Sequence, residues 1–327
     1  MDRTGLHPAR DLQTLRALHR LFVEEGPDIF LGYTIKPVVY GLLAAWLADV
    51  PARYAMITGL GTAFTDVQGA RQYLLQSVAS MLYRLSLTTS RQVIFQNPDD
   101  AYLFCARRLV GGPEQVALIN GSGVDLDEYR PAPLPESTSF LMVARLLRTK
   151  GIVEYLEAAR RIKAHHEDVV FRLAGGFDDG PAAISEEEFE TLNADGAVEF
   201  LGYLDDVRGA LAQASVLVLP SYREGTPRTV LEAMAMGRPV VVTDVPGCRQ
   251  TVEPGENGFL VAPRDIHGLA RAMTHFIGEP ELVRSMGEKG RALAQERFDV
   301  RDVSETLLKI LDLRRRVVPP PLPRGVV

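Results

Sequence analysis

The sequence contains little cysteine and no long hydrophobic run. Its two cysteines among 327 residues, Cys105 and Cys248, stand in very different surroundings. A disulfide framework or a cysteine-based zinc site is therefore not expected, and a reducing compartment fits this composition. No apolar run reaches the roughly 18 residues that a membrane-spanning helix needs, and no apolar segment of a secretion signal follows the first charged residues. We therefore expect a cytoplasmic protein.

The chain also lacks an excess of positive charge. The net charge is -6 at pH 7, and neither half of the chain has an excess of basic residues, so we expect no nucleic-acid partner. Three arginines at 314–316 suit a solvated helix end, which we favour, or a peripheral contact with the inner face of a membrane. With 46% hydrophobic and 24% charged residues, the composition is that of a globular protein long enough for two domains.

Short apolar strands alternate with helical patterns along the chain. Strands are predicted at 28–34, 52–58, 91–97, 114–120, 139–145, 169–175, 197–203, 215–220, 239–244 and 258–262. Helices are predicted at 9–25, 37–49, 70–87, 98–110, 150–165, 185–194, 206–213, 228–236 and 265–277. Apolar strands divided by helices indicate parallel sheets covered on both faces. Right-handed crossovers then make each half a doubly wound, Rossmann-like α/β unit.

A linker divides the two predicted units, because three prolines fall within 126–137. We predict a first domain over 1–135, a second over 136–300, and a C-terminal helix with a flexible tail over 301–327. Doubly wound domains usually begin with a strand and a glycine-rich turn, whereas this chain begins with a helical pattern. We therefore expect the first domain to lack its opening segment.

Two glutamates eight residues apart, Glu224 and Glu232, follow the predicted strand 215–220. Ligands of open parallel sheets bind beyond the carboxyl ends of the strands. A carboxylate one helical stretch beyond the strand end suits the vicinal hydroxyls of a sugar. The structural alternative is a turn followed by an acid that complements the helix dipole.

The turn between the two glutamates has the composition of a ligand loop. Gly225 permits a close backbone approach, Thr226 can cap the next helix, and Pro227 suits its first turn. Free amides around Thr229 then form a site for phosphate. A second cluster, Arg145 and Lys150, follows the first strand of the second unit, where both cations suit a diphosphate. A solvated basic pair at a turn is the alternative.

These segments resemble a known family in their order along the chain. The stretch REGTPRTVLEAMAMGRPVVVTDVPG, in which Glu224 and Glu232 form an E-x7-E pair, resembles the donor signature of retaining GT-B glycosyltransferases of the family 4 group. Three further segments are similar to that group's diphosphate clamp, interdomain loop and base-side segment: VARLLRTKG, NGSGVDLDEYRP and FLGYLDDV. The region YTIKPVVYGLLAAWLADVPARYAMITGLGTAFTD resembles a subgroup that builds cell-surface polysaccharides and lipid-linked oligosaccharides.

The resemblance implies a GT-B fold, in which an acceptor-side first domain faces a nucleotide-sugar-binding second domain across a cleft. Glu224 would contact the donor sugar, and Glu232 would hold the ribose hydroxyls. Arg145 and Lys150 would stabilise charge on the departing nucleoside diphosphate. No metal or other cofactor is implied, because these cations and the helix start supply the electrostatic stabilisation.

The resemblance also assigns backbone roles. Amides near Thr229 and Val230 would bind the distal phosphate, and Gly225 and Thr226 would shape the turn. Many family members carry a histidine after the strand that here reads AMIT. This chain has a TGLG sequence at 58–61 instead, so the backbones of Thr58 and Gly59 would line the sugar site.

The implied activity is a retaining, metal-independent, hexosyl-type transfer from a nucleoside-diphosphate sugar to a glycan or lipid-linked acceptor. The expected absence of the opening segment favours one alternative, a truncated or degenerate relative that binds nucleotide as a non-catalytic partner. The presence of all four charged site residues argues against that alternative. A sugar-nucleotide epimerase of the same fold is a third interpretation, which the E-x7-E pair disfavours.

Other conspicuous residues have simpler interpretations. The six histidines show no metal-ligand spacing, and Trp46 is expected in the core. One apolar stripe with helical spacing suits a membrane or lipid-acceptor face, but we favour core packing for it. The stripe consists of Leu74, Leu75, Val78, Met81, Leu82 and Leu85.

Overall fold

The computed structural model describes residues 8–59, 70–180 and 182–313, in which parallel strands form two separate sheets. The first sheet has the order β1-β2-β3-β4, and all its neighbouring strands are parallel. Its strands are β1 (Ile29–Tyr33), β2 (Ala52–Ile57), β3 (Gln92–Phe95) and β4 (Val116–Leu118). Its helices are α1 (Pro8–Glu25), α2 (Leu42–Leu47), α3 (Ala70–Leu87) and α4 (Pro98–Ala106).

The second sheet has six strands in the order β10-β9-β8-β5-β6-β7, again all parallel. The strands are β5 (Ser139–Val143), β6 (Val170–Ala174), β7 (Glu199–Gly202), β8 (Val216–Leu219), β9 (Val240–Thr243) and β10 (Gly258–Val261). The helices are α5 (Ile152–Lys163), α6 (Glu186–Leu192), α7 (Arg208–Ala212), α8 (Arg228–Ala235), α9 (Ile266–Thr274), α10 (Pro280–Arg297) and α11 (Val300–Ile310). The strand order reverses between β5 and β8, which opens a crevice at their carboxyl ends.

The core of the second unit explains its strand pattern. Every residue of β8 and β9 is buried, as expected for central strands covered by helices on both faces. Helix α5 packs against α9, and α8 packs against α10. The rings of Phe140 and Phe171 stack with centroids 5.2 Å apart. The predicted alternation of strands and helices is therefore confirmed.

The last described helix, α11, returns to the first unit. Val303 of α11 and Leu311, which follows it, pack with Tyr54 and Ile94 of the first sheet and with Ile119, which follows β4. This packing covers one side of that sheet with a helix from the far end of the chain. The domain boundary near residue 135 stays a prediction, and the predicted flexible tail lies outside the described residues.

The prediction of core packing is wrong for Trp46 and only partly correct for the stripe on α3, of which Leu82 is partly buried against the core of the first unit. Trp46 is 51% exposed, because Leu42, Ala44 and Ala45 form the buried side of α2. On α3 the apolar side chains at 78, 81 and 85 are exposed, with Met81 72% exposed. The buried side chains at 83, 86 and 87 lie on the other face of the helix. The side chains of Leu74 and Leu75 lie outside the described residues.

None of the described helices combines the length and the hydropathy that crossing a membrane requires.

Candidate active site

The crevice between β5 and β8 brings together two of the predicted site residues. Lys150 ends a short 3-10 turn after β5, and Glu224 lies in the loop after β8. Their Nζ and Oε1 atoms are 2.5 Å apart, and their side chains are 22% and 13% exposed. Residues 74 positions apart thus form a half-buried ion pair where the strand order reverses.

Gly151 makes this approach possible. It has a φ of 78°, and a Cβ there would lie 2.2 Å from the carbonyl oxygen of Pro220. Only glycine fits this left-handed position against the end of β8. The carbonyl of Thr149 also accepts a hydrogen bond from the Tyr222 amide at 2.9 Å. The two loops that carry the ion pair are therefore fixed to each other.

Glu232 lies on the buried side of α8 and is 4% exposed. The Nε of Arg228 donates to its Oε1 at 2.8 Å, and Tyr129 also forms a side-chain hydrogen bond with it. Burial raises the pKa of Glu232, whereas the hydrogen bond from Tyr129 and the charge of Arg228 act to lower that pKa. Burial and the neighbouring Glu232 raise the pKa of Tyr129 to about 12. Glu232 is thus a buried carboxylate close to the start of α8.

Helix α8 begins without a side-chain cap. Its N-cap residue is Pro227, and the amide of Val230 donates to the Pro227 carbonyl at 3.1 Å. Among the described residues, the amide of Thr229 has no such acceptor. Of the two amides predicted to bind phosphate, only that of Thr229 is open at the helix start. The capping role predicted for Thr226 is wrong, because its hydroxyl donates to the Gln96 carbonyl at 3.0 Å.

Arg145 does not join the Lys150–Glu224 pair. Its Nη1 lies 2.6 Å from Oδ2 of Asp178, which follows β6, and its side chain is 60% exposed. The sequence around Arg145 does not predict its pairing with Asp178, because the two residues are 33 positions apart.

Gly225 meets the first unit at the predicted backbone positions. A Cβ on Gly225 would lie 2.2 Å from the carbonyl oxygen of Thr58. A Cβ on Gly59 would in turn lie 3.4 Å from the Gly225 amide nitrogen. A larger residue at 225 would therefore push the two units apart. Leu60 and Gly61, the rest of the TGLG sequence, lie outside the described residues.

The segment after β3 is a contact that sequence reasoning missed. The side chain of Asn97 caps α4, because its Oδ1 accepts a hydrogen bond from the Asp100 amide. Its Nδ2 donates to the Gly225 carbonyl at 2.8 Å. The neighbouring Gln96 carbonyl accepts from Thr226. The sequence pattern predicts only a strand end and a helix start here. The available signal was a polar cluster, QNPDD, at the carboxyl end of a parallel strand.

Two ion pairs continue this interface. Asp100, whose side chain is fully buried, pairs with Arg223 of the loop after β8. Asp99 pairs with Arg249 at 3.0 Å and accepts from Gln250 at 2.6 Å. Burial raises the pKa of Asp100, and the charge of Arg223 opposes that rise. Four residues at the start of α4 and just before it, Gln96, Asn97, Asp99 and Asp100, therefore contact the second unit.

The arrangement suits the binding of an anionic ligand that carries hydroxyl groups. It offers the ammonium of Lys150, the start of α8 and two carboxylates, Glu224 and Glu232. Within the described ranges, no cluster of three histidine, cysteine or acidic side chains could hold a metal ion. A cation beside a helix start suits phosphate groups, and buried carboxylates suit sugar hydroxyls.

Comparisons with known proteins agree with this chemistry. A family model described as glycosyl transferases group 1 matches residues 128–293. The N,N'-diacetylbacillosaminyl-diphospho-undecaprenol alpha-1,3-N-acetylgalactosaminyltransferase of Campylobacter jejuni is 30% identical over 325 residues, which cover 95% of this chain and 84% of that protein. The UDP-Gal:alpha-D-GlcNAc-diphosphoundecaprenol alpha-1,3-galactosyltransferase of Escherichia coli is 29% identical over 280 residues, or 81% of this chain and 70% of that protein.

The solved structure of sucrose-phosphate synthase from Thermosynechococcus elongatus has the same fold. It superposes with a TM-score of 0.78 at 24% identity, over 94% of this chain and 80% of that one. The superposition extends over both sheets, and this confirms the GT-B fold that the sequence motifs imply. The resemblance of the motifs is confirmed by the family model and by both transferases. The chain therefore belongs to the glycosyl transferases group 1 family.

Proposed function

We propose that this glycosyltransferase moves a hexosyl-type sugar from a nucleoside-diphosphate sugar to a glycan or lipid-linked acceptor, with retention and without a metal ion. The observation that carries the proposal is the Lys150–Glu224 pair at the reversal of strand order. A cation beside a helix start suits a sugar joined to a diphosphate. The relatives support these substrate classes, because both are named for diphospho-undecaprenol-linked saccharides and the second for UDP-Gal.

The donor would lie along α8 and across the crevice. The amide of Thr229 would bind the distal phosphate, and Glu232 would accept hydrogen bonds from the ribose hydroxyls. The backbones of Thr58 and Gly59 approach Gly225 and would line the sugar end. In this orientation the anomeric carbon lies near Glu224, on the side of the first unit.

Charge on the leaving diphosphate would be stabilised by Lys150, with Arg145 as a second cation. Lys150 is positioned for this role by its turn, whereas Arg145 must first release Asp178. Preorganised cations in a crevice that excludes water stabilise developing negative charge strongly. The proposal therefore needs no cofactor, and a chelator should leave turnover unchanged.

Retention would follow from attack on the face that the diphosphate leaves. The bond from the anomeric carbon to the phosphate oxygen breaks as the bond to the acceptor oxygen forms. The acceptor proton passes to the departing phosphate oxygen. Glu224 would accept hydrogen bonds from the donor sugar and would act by positioning it, as neither nucleophile nor general base. Closure of the two units would exclude water from this step.

The acceptor would be reached at a membrane surface. Exposed apolar side chains on α2 and α3 of the first unit, among them Trp46 and Met81, support a peripheral contact. Such a surface suits the headgroup boundary of a bilayer. A lipid-linked acceptor would thereby meet the acceptor-side unit directly.

A turnover assay with matched variants tests the proposal. Purified protein is given a set of nucleotide sugars and a polyprenyl-diphosphate-linked saccharide, and UDP binding is measured by calorimetry. We expect Glu224→Gln to lower turnover by about a hundredfold or more with UDP affinity nearly unchanged. We expect Glu232→Gln to weaken UDP binding by about tenfold.

The assay also separates the non-catalytic alternative. Binding of UDP without turnover of any donor would indicate a nucleotide-binding partner. Equal and negligible effects of both substitutions, on turnover and on binding, would refute the site.

A further inference from the structure

The loop that carries Glu224 is held from both units of the molecule. Within the second unit, the Glu224 amide donates to the Pro246 carbonyl at 3.1 Å, and its carboxylate pairs with Lys150. The residues on either side of it are tied to the first unit instead. Arg223 pairs with Asp100, and the Gly225 carbonyl accepts from Asn97.

Asn97 and Asp100 form one small network. The Nδ2 of Asn97 lies 3.1 Å from Oδ2 of Asp100, and the Asp100 amide donates to Oδ1 of Asn97 at 2.8 Å. The guanidinium of Arg223 reaches this network from the other unit, and its buried Nε has no partner among the described residues. Arg223 is therefore oriented mainly by Asp100.

The burial of this network makes it a firm anchor. The side chain of Asp100 is 0% exposed and that of Arg223 is 19% exposed. A buried charge that loses its partner is strongly unfavourable, so this contact favours one relative placement of the loop. Because Arg223 and Gly225 flank Glu224 directly, that placement also sets the position of the Glu224 carboxylate.

We propose that Asn97 and Asp100 are positioning residues, which align Glu224 by holding Arg223 and the Gly225 carbonyl across the interface. Glu224 reaches its working geometry only when the two units are closed, because its anchors belong to the acceptor-side unit. This inference rests on the proposed role of Glu224. A misplacement of about 1 Å costs on the order of a hundredfold in rate, so alignment of this kind has a measurable effect.

The chain offers a matched control at the same helix start. Asp99 also forms an ion pair across the interface, with Arg249. Its partners, Arg249 and Gln250, lie outside the loop that carries Glu224. Asp99→Asn therefore removes the charge of an interface ion pair, as Asp100→Asn does, without releasing Arg223 or Gly225.

Three variants of the full chain test the proposal: Asp100→Asn, Asn97→Ser and Asp99→Asn. Serine keeps the helix cap but is too short to reach the Gly225 carbonyl. We expect Asp100→Asn and Asn97→Ser to lower kcat about tenfold to a hundredfold, with UDP affinity changed less than about threefold. We expect Asp99→Asn to keep kcat within about threefold of wild type. Thermal melting of each variant shows any shared loss of stability.

A double-mutant cycle shows whether Asp100 acts through Arg223. We expect Asp100→Asn combined with Arg223→Gln to lower kcat no further than either change alone, because both break the same contact. Additive losses would overturn the proposal, as would equal kcat for Asp100→Asn and Asp99→Asn. If Asp100→Asn does not fold, Asn97→Ser decides the matter by the same comparison with Asp99→Asn.

The proposed function itself is checked separately by Glu224→Gln. If Glu224→Gln leaves kcat unchanged, both the proposed site and this inference are wrong. If Glu224→Gln lowers kcat but Asp100→Asn and Asn97→Ser leave it unchanged, only this inference is wrong.

Discussion

Single residues of the candidate site differ in how their charges are compensated. Lys150 and Glu224 neutralise each other inside the crevice, at 2.5 Å. Glu232 is buried beside Tyr129 and Arg228, whereas Arg145 is paired with Asp178 at the surface. Under the proposed function, Lys150 is therefore the crevice cation that a diphosphate would meet, and Glu232 is a site carboxylate whose pKa is raised by burial.

The shifted pKa of Glu232 predicts a pH dependence of UDP binding. Burial raises that pKa above the ordinary value of 4.5, and only the ionised carboxylate accepts hydrogen bonds through both oxygens. We therefore expect full UDP affinity above the raised pKa and a loss of affinity as the pH falls through it. The loss begins at a higher pH than an exposed glutamate would give. Calorimetry of wild type and Glu232→Gln from pH 4.5 to 8 measures this effect.

The difference in UDP affinity between wild type and Glu232→Gln reports the titration of Glu232 alone, because the phosphates of UDP titrate alike with both proteins. We expect their affinities to converge as the pH falls. Parallel pH profiles with a constant offset would count against a titrating Glu232 in the site.

At the scale of elements, the strands were easier to predict than the faces of the helices. Strand positions follow from short apolar runs, and the crevice follows from the order of crossovers. The sequence therefore predicts that Lys150 and Glu224 lie near each other. Apolar side chains occur on both faces of α3, and their spacing does not tell which face the sheet covers. The partners at the start of α4 lie 123 to 151 positions away. No local sequence pattern indicates contacts between residues so far apart along the chain.

The exposed face of α3 predicts binding to vesicles. Met81 and Leu85 stand out from the surface, and burying each such side chain in a bilayer is worth about 1.5–3 kcal/mol. We expect the double change Met81→Asp and Leu85→Asp to lower co-sedimentation with phosphatidylglycerol vesicles at least about fivefold. Leu308→Asp, at another exposed apolar position, on α11, is the control and should bind like wild type. Equal binding by wild type, the double variant and Leu308→Asp would show that α3 does not contact the membrane.

At the scale of the whole molecule, a buried guanidinium holds the chain segment that connects the first sheet to the second. Arg238 is 1% exposed. Its nitrogens donate to five carbonyls, of Ala132, Pro133, Leu211, Ala212 and Met236. Burial lowers the pKa of Arg238 to about 10. Five carbonyl acceptors thus compensate the buried charge of Arg238 where the connecting segment meets the ends of α7 and α8.

Removal of this guanidinium should destabilise the protein. Arg238→Met removes five hydrogen bonds to carbonyls, two of them buried and three partly buried, which costs about 3 kcal/mol or more. Differential scanning calorimetry should show a lower Tm for this variant. Arg284→Met, at an exposed arginine whose pair with Glu281 spans 3.8 Å, should melt like wild type. Equal melting temperatures for the two variants would refute the fastening role of Arg238.

The central claim is that the crevice between β5 and β8 binds a nucleoside diphosphate on Lys150. Calorimetric titration of wild type, Lys150→Ala and Arg148→Ala with UDP and UMP tests it most directly. Arg148 belongs to the same turn and pairs with Glu188 at the surface, so it controls for general loss of charge. We predict that Lys150→Ala weakens UDP binding about tenfold or more, while UMP binding and Arg148→Ala change little. Equal losses for UDP and UMP, or equal losses for the two variants, would contradict the account.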